Sequence, residues 1–106
     1  MPAKRIIKLI KELNSRIYEQ YKDFKGCYLY GSIAKGTAHK DSDIDLVAIF
    51  DYIDWNKDFE LGGIICELMY KYDVYIDLHS YTKDSLSKNP IYYNEVVNKG
   101  VFYEAT

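Results

Sequence analysis

The chain has 106 residues, 48% of them apolar and 28% charged, which suits one folded domain with one modest core and is not the composition of a disordered protein. A formal net charge of −2 excludes the basic excess of a broad nucleic-acid footprint, so no direct nucleic-acid partner is expected. No stretch reaches the roughly 20 consecutive apolar residues of a membrane span.

Residues 3–24 read as an amphipathic helix, because Ile6, Ile10, Leu13, Ile17, Tyr21 and Phe24 recur at three- and four-residue steps. Its basic residues, Lys4, Arg5, Lys8, Lys11, Arg16 and Lys22, form a solvated face or, alternatively, a docking face for an acidic partner. Lys8 and Lys11 interrupt the early apolar run, unlike a signal peptide, so a cytoplasmic protein is expected. Residues 27–30 read as a short strand ending at Gly31, and residues 32–37 as a short helix or helical turn. Residues 42–50 alternate as a strand, with Ile44, Leu46, Ala48 and Phe50 on one face and Asp43, Asp45, Val47 and Ile49 on the other. Both faces are apolar after Asp45, as in a strand buried within a sheet.

A polar stretch over 51–57 leads to a second helix ending near Tyr72, with Leu61, Ile65, Leu68 and Tyr72 as its apolar stripe. Gly62 and Gly63 inside it should cost roughly 1 kcal/mol each against alanine. Residues 73–81 read as a third strand, with Val74, Ile76 and Leu78 on one face and Tyr75, Asp77 and His79 on the other. Asn89 and Pro90 open a further helix as N-cap and first-turn proline. Gly100 closes it, and residues 101–103 add a last short strand. The expected architecture is a single α/β (α+β) domain over 1–106, a small mixed sheet with helices packed on it. Cys27 and Cys66 lack zinc-ligand spacing and read as two buried free thiols in a reducing cytosol. Twelve tyrosines read as core edge, ring buried and hydroxyl wet, or as a protein interface.

The densest chemistry lies in Tyr30 to Leu46, Y-G-S-I-A-K-G-T-A-H-K-D-S-D-I-D-L. Gly31 closes a strand without a side chain to block a triphosphate. Ser32 offers a hydroxyl at the start of a short helix, whose free N–H groups favour an anion. Gly36 keeps the following turn close. Asp43 and Asp45, two apart on a strand, point to one side with alpha carbons roughly 6–7 Å apart. They would share or bridge Mg²⁺, which takes one or two carboxylates plus substrate phosphates. If its strand neighbours theirs, Asp77 makes a third carboxylate, letting two metal ions serve an in-line displacement at phosphorus. Asp77 is then the candidate to take the attacking hydroxyl's proton. Asp41 reads as a turn residue, and His39 and His79 as solvated or structural histidines.

G-S-x-x-x-G followed by D-S-D-x-D-L resembles the signature of the polymerase-beta-type nucleotidyltransferase superfamily, and the length points to its minimal nucleotidyltransferase (MNT) branch. The resemblance implies that Gly31 and Ser32, with Lys35 and Gly36 of the same loop, hold the triphosphate of ATP. It implies that Asp43, Asp45 and Asp77 form the metal and catalytic set. Many such motifs have arginine where this chain has Lys35, which keeps the charge but not the planar fork. The resemblance further implies a HEPN-domain toxin as partner in a hetero-oligomer. The chain would be the antitoxin, transferring AMP from ATP to a tyrosine of that ribonuclease. Alternatives are an antitoxin that neutralises by binding alone, and nucleotidylation of a small molecule.

Overall fold

The computed structural model describes residues 3–38 and 42–106; His39 and Asp41 lie outside them. The first helix, α1 (Lys4–Gln20), forms because Leu9, Ile10, Leu13 and Ile17 repeat along one face, all fully buried. It ends four residues earlier than its periodicity predicts. Tyr21 is extended, and Asp23 is drawn off the helix line. Its carboxylate accepts the backbone N–H of Asp51 at 3.2 Å and of Tyr52 at 3.5 Å, and pairs with Lys57 Nζ at 2.9 Å. Phe24 still reaches the core, from the connecting loop.

There follow β1 (Gly26–Tyr30), α2 (Gly31–Lys35), β2 (Ile44–Phe50), α3 (Trp55–Tyr72) and β3 (Ile76–Thr82). The chain then forms α4 (Lys83–Ser87), α5 (Pro90–Tyr93), a π-helical turn over Asn94–Asn98, and β4 (Val101–Glu104). The four strands make one sheet in the order β3-β2-β1-β4. β1 runs antiparallel to both β2 and β4, while β2 and β3 are parallel. The parallel pair is connected through α3, the crossover such a pair needs.

One sheet face packs Ile44, Leu46, Ala48 and Phe50 against α1 and α3. The other packs Val47 and Ile49 against Leu86 of α4 and Val96 of the π-helical turn. The alternation expected for β2 is therefore observed, with both faces covered beyond Asp45. Among the described residues, no helix is long and apolar enough to cross a membrane.

Several elements differ from expectation for local reasons. The third strand starts at Ile76 rather than at residue 73, because Asp73 caps α3 in the left-handed region, at φ +52°, a conformation aspartate tolerates. α3 begins inside the expected polar stretch. The Asp54 side chain accepts the Lys57 N–H at 2.8 Å, an N-cap that starts the helix at once. α4 was not expected. Thr82 and Ser85 open it with a reciprocal capping box. The last helix is capped by Asn89 with Pro90 in its first turn, as expected, but widens into the π-helical turn before Gly100. Cys27 is buried, and burial pushes its thiol far up. Cys66 is exposed, a correction: it lies on the α3 face opposite the buried Leu61, Ile64 and Leu68.

The buried Asn14 of α1 donates to the carbonyls of Tyr103 at 2.9 Å and Glu104 at 3.0 Å. It thereby ties the β4 edge of the sheet to the helix layer. Asn14→Leu keeps the branching of the side chain, adds some bulk, and leaves those carbonyls without the Asn14 donor. The expected loss, read from urea midpoints, is about 1–3 kcal/mol.

Candidate active site

The site begins where β1 runs into α2. Gly31 sits at φ +76°, and a Cβ there would collide with Asp45 Oδ2. Glycine is thus required twice, by its backbone angle and by the carboxylate against it. Among the described residues no side chain caps the N-terminus of α2, so its first N–H groups have no internal side-chain acceptor there. Ser32 lies in this first turn. Its carbonyl accepts the Thr37 N–H at 3.0 Å, and Gly36, at φ +75°, ends the helix. Gly31→Ala is expected to cost about 1–3 kcal/mol through strain at this angle and to push Asp45 aside. Thermal melts together with the nucleotidyl-transfer rate check both effects.

Asp45 of β2 and Asp77 of β3 are partners in the parallel register, which sets neighbouring strands about 4.8 Å apart. The sequence-level condition on Asp77, that its strand adjoin that of Asp45, is met. Asp43 precedes β2 instead of lying within it, and is exposed. The Asp45 carboxyl is held above its ordinary range by burial first, then by the charges of Asp77 and Asp43, with His79 opposing. Asp77 and Asp43 thus both lie close enough to act on the Asp45 charge.

Among the described residues, no three acidic, histidine or cysteine side chains already surround a metal-sized point. The donors nevertheless suit Mg²⁺, a hard ion usually held by one or two carboxylates with substrate phosphates completing its shell. An open set of carboxylate oxygens around Asp45, beside a glycine cradle, fits that requirement.

The other sequence candidates have partners of their own. Lys35 Nζ pairs with Glu95 of the π-helical turn at 3.0 Å, so its charge is engaged across the chain. His79 Nε2 lies 3.1 Å from Asp77 Oδ1, placing this histidine against the third carboxylate. A groove of about 400 Å³ opens beside it between α3 and the edge strand β3, lined by His79, Tyr81, Leu61 and Gly62 among others.

Two tyrosines escaped sequence reasoning. The hydroxyls of Tyr30 and Tyr92 lie 2.8 Å apart, and the Tyr81 ring packs against the Tyr92 ring with centroids 5.7 Å apart and planes tilted by 51°. Burial first, then the Tyr92 hydrogen bond and the charges of Asp45 and Asp77, hold the Tyr30 phenol far above its usual range. Both rings present protonated hydroxyls beside the acids. The available signal was the period of β1, which puts Tyr28 and Tyr30 on the Asp45 face.

Clustered carboxylates facing an uncapped helix start are the equipment of a domain that handles phosphate groups. The family described as Polymerase beta, Nucleotidyltransferase has a sequence model matching residues 11–101, and the chain belongs to that nucleotidyltransferase family. The fold also matches solved structures. The crystal structure of a toxin–antitoxin with AMP-PNP is 27% identical, with a TM-score of 0.59 over 92% of this chain and 68% of that one. A Tyr-to-Ala mutant of the toxin–antitoxin MntA-HpeT is 26% identical, with a TM-score of 0.59 over 97% of this chain and 72% of that one. A double Asp-to-Glu mutant of the toxin–antitoxin MntA-HpeT is 22% identical, with a TM-score of 0.60 over 87% and 70%, a likeness of fold alone. No curated protein matches significantly.

Proposed function

We propose that this chain is an MNT-type antitoxin, a Mg²⁺-dependent adenylyltransferase that moves AMP from ATP onto a tyrosine hydroxyl of a HEPN ribonuclease toxin. The observation that carries the reading is the in-register pair Asp45 and Asp77, with Asp43 two residues upstream and Gly31 against the Asp45 carboxylate. Asp43, Asp45 and Asp77 are the metal ligands in this reading. Bound Mg²⁺ supplies neutralisation of the triphosphate and of the attacking and leaving oxygens. Gly31 leaves room for the phosphates, Ser32 and the α2 N–H groups donate to them, and Gly36 keeps the turn tight. Asp77 accepts the proton of the incoming hydroxyl, whose oxygen bonds to the α-phosphorus as the bond to the β-phosphate bridge breaks and pyrophosphate leaves. His79 orients Asp77 from the side.

The family supports the transfer chemistry, and a neighbour solved with AMP-PNP supports an adenine nucleotide. Toxin–antitoxin neighbours support a toxin partner, and a cytoplasmic setting supplies both. Neutralisation by complex formation alone is the second reading, favoured by the engagement of Lys35 with Glu95 instead of an open phosphate site.

The test is an intact-mass measurement on the partner toxin after incubation with this chain, ATP and Mg²⁺. The expected gain is about 329 Da per transferred AMP, the adduct of in-line transfer at the α-phosphorus. An unchanged mass in a stable complex would reject transfer to that partner and leave the second reading.

A further inference from the structure

The outer face of α3 carries a second apolar stripe that none of the described residues covers. Trp55, Phe59 and Tyr70 are 91%, 86% and 92% exposed, and the exposed Cys66 lies among them. At 100° per residue these four fall within a narrow arc opposite the buried Lys57, Leu61, Ile64 and Leu68. Gly62 and Gly63 lie mid-helix at the edges of the stripe. Among the described residues a Cβ at either would meet nothing within 4 Å, so no contact with them calls for glycine there. Each weakens the helix by about 1 kcal/mol against alanine, and what two glycines provide is close approach of another backbone.

The stripe is symmetric about its own middle. Trp55 and Tyr70, Phe59 and Cys66, and Gly62 and Gly63 are pairwise equidistant from the Gly62–Gly63 peptide bond. A two-fold interface demands such self-complementarity. Antiparallel docking of two α3 helices sets Trp55 against the partner's Tyr70 and Phe59 against the partner's Cys66, with the glycines at the crossing.

Charge is arranged the same way. The N-terminal half of α3 exposes Asp54, Asp58 and Glu60. The C-terminal half bears Lys71 and lies beside the start of α1, where Arg5 donates to the Tyr72 carbonyl and Lys4 and Lys8 are exposed. Glu67 and the exposed C-cap Asp73 offset Lys71 in that half, and antiparallel pairing sets each acidic half near the basic start of the partner's α1. Glu67 and Lys71 are also answered within the chain, by Arg16 and Glu12. Each aromatic side chain buries roughly 150–250 Å². Six of them supply about 1,000 Å² or more, the threshold for a specific interface.

We propose that α3 is the interface of a homodimer, two copies crossing antiparallel at Gly62–Gly63. It involves none of Asp43, Asp45 and Asp77, while Gly62 also lines the groove beside His79. Sedimentation equilibrium of the full chain should show a dimer, and Phe59→Arg, at a position exposed in the monomer, should raise its dissociation constant at least about 10-fold with unchanged circular dichroism. Oxidised Phe59→Cys should form a covalent dimer joining the introduced thiol to Cys66 of the partner subunit, and adding Cys66→Ser should abolish it. Within one chain the two positions are about 10 Å apart along the helix, too far for a disulfide.

A wild-type monomer at about 100 μM, ample for a specific interface of this size, overturns the proposal. So does a dimer indifferent to Phe59→Arg, or a cross-link joining residue 59 to itself. A monomeric wild type whose capture of the toxin is lost in Phe59→Arg also overturns it, assigning the stripe to the toxin instead.

Discussion

Replacing Asp43 and Asp45 together by asparagine should abolish AMP transfer while the domain stays folded. The two effects have one physical origin. Asp45 is half-buried, and burial, Asp77 and Asp43 all disfavour its charged form. A carboxyl held above its ordinary range weakens the folded state at neutral pH, where the charge must still be carried. Removing two of the three charges relieves that repulsion, so the melting temperature should hold or rise. Transfer should fall by about 10³-fold or more, since lost metal and charge stabilisation at a displaced phosphoryl group is worth several kcal/mol. The readout is the time course of adduct mass on the toxin, paired with a thermal melt. A variant that melts well below wild type would recast the acids as structural. One that transfers normally would remove them from the chemistry.

The largest stability effect is expected at the opposite end of β2. Lys57 is 1% exposed. Its ammonium pairs with Asp23 at 2.9 Å, donates to the Tyr52 carbonyl at 2.8 Å and lies 3.7 Å from the Tyr52 ring centre and 4.5 Å from that of Phe50. Asp23→Ala removes the carboxylate paired with Lys57 among the described residues and leaves a buried cation. The expected cost is about 3–5 kcal/mol, a large part of the roughly 5–15 kcal/mol that holds a domain together. Adding Lys57→Met should recover much of it, because an apolar chain of similar length needs no counter-ion.

The pair also sets a pH dependence. Burial alone would raise the Asp23 carboxyl. The Lys57 hydrogen bond and charge, with the N–H groups of Tyr52 and Asp51, bring it net below its ordinary 3.8. A carboxyl lowered on folding stabilises fully above its unfolded value and loses that contribution as pH falls through its folded value. Urea midpoints at about pH 7 and about pH 3 should therefore diverge more for wild type than for Asp23→Ala. Equal acid losses in both would remove Asp23 from the acid response.

What the sequence showed well was periodic. The two-residue alternation of β2 placed Asp45 with Val47 and Ile49, and the alternation around Asp77 put it on the matching face of β3, so their pairing needed only adjacency of the two strands. The glycine at the end of β1 was legible as a cradle, but its collision with Asp45 was not, because that contact joins positions far apart in the chain. The same distance hides the Asp23–Lys57 pair, the Lys35–Glu95 bridge and the Tyr30–Tyr92 hydroxyl contact. No local pattern records which surface loop will meet which helix. α4 was missed because its capping box, Thr82 with Ser85, uses serine at the position where glutamate is the usual signal. Cys66 was misplaced because a small apolar residue in an apolar helix looks inward until the helix is seen to have two apolar sides.

That second side makes the protein its own optical reporter. The sequence has a single tryptophan, Trp55, and it stands 91% exposed at one end of the outer stripe of α3. Its emission in the isolated chain is already that of an indole in water, so denaturation will scarcely move it. Covering the stripe will shift it to the blue. Tryptophan fluorescence of this protein therefore tracks association rather than unfolding, and unfolding is read from the tyrosines and from circular dichroism.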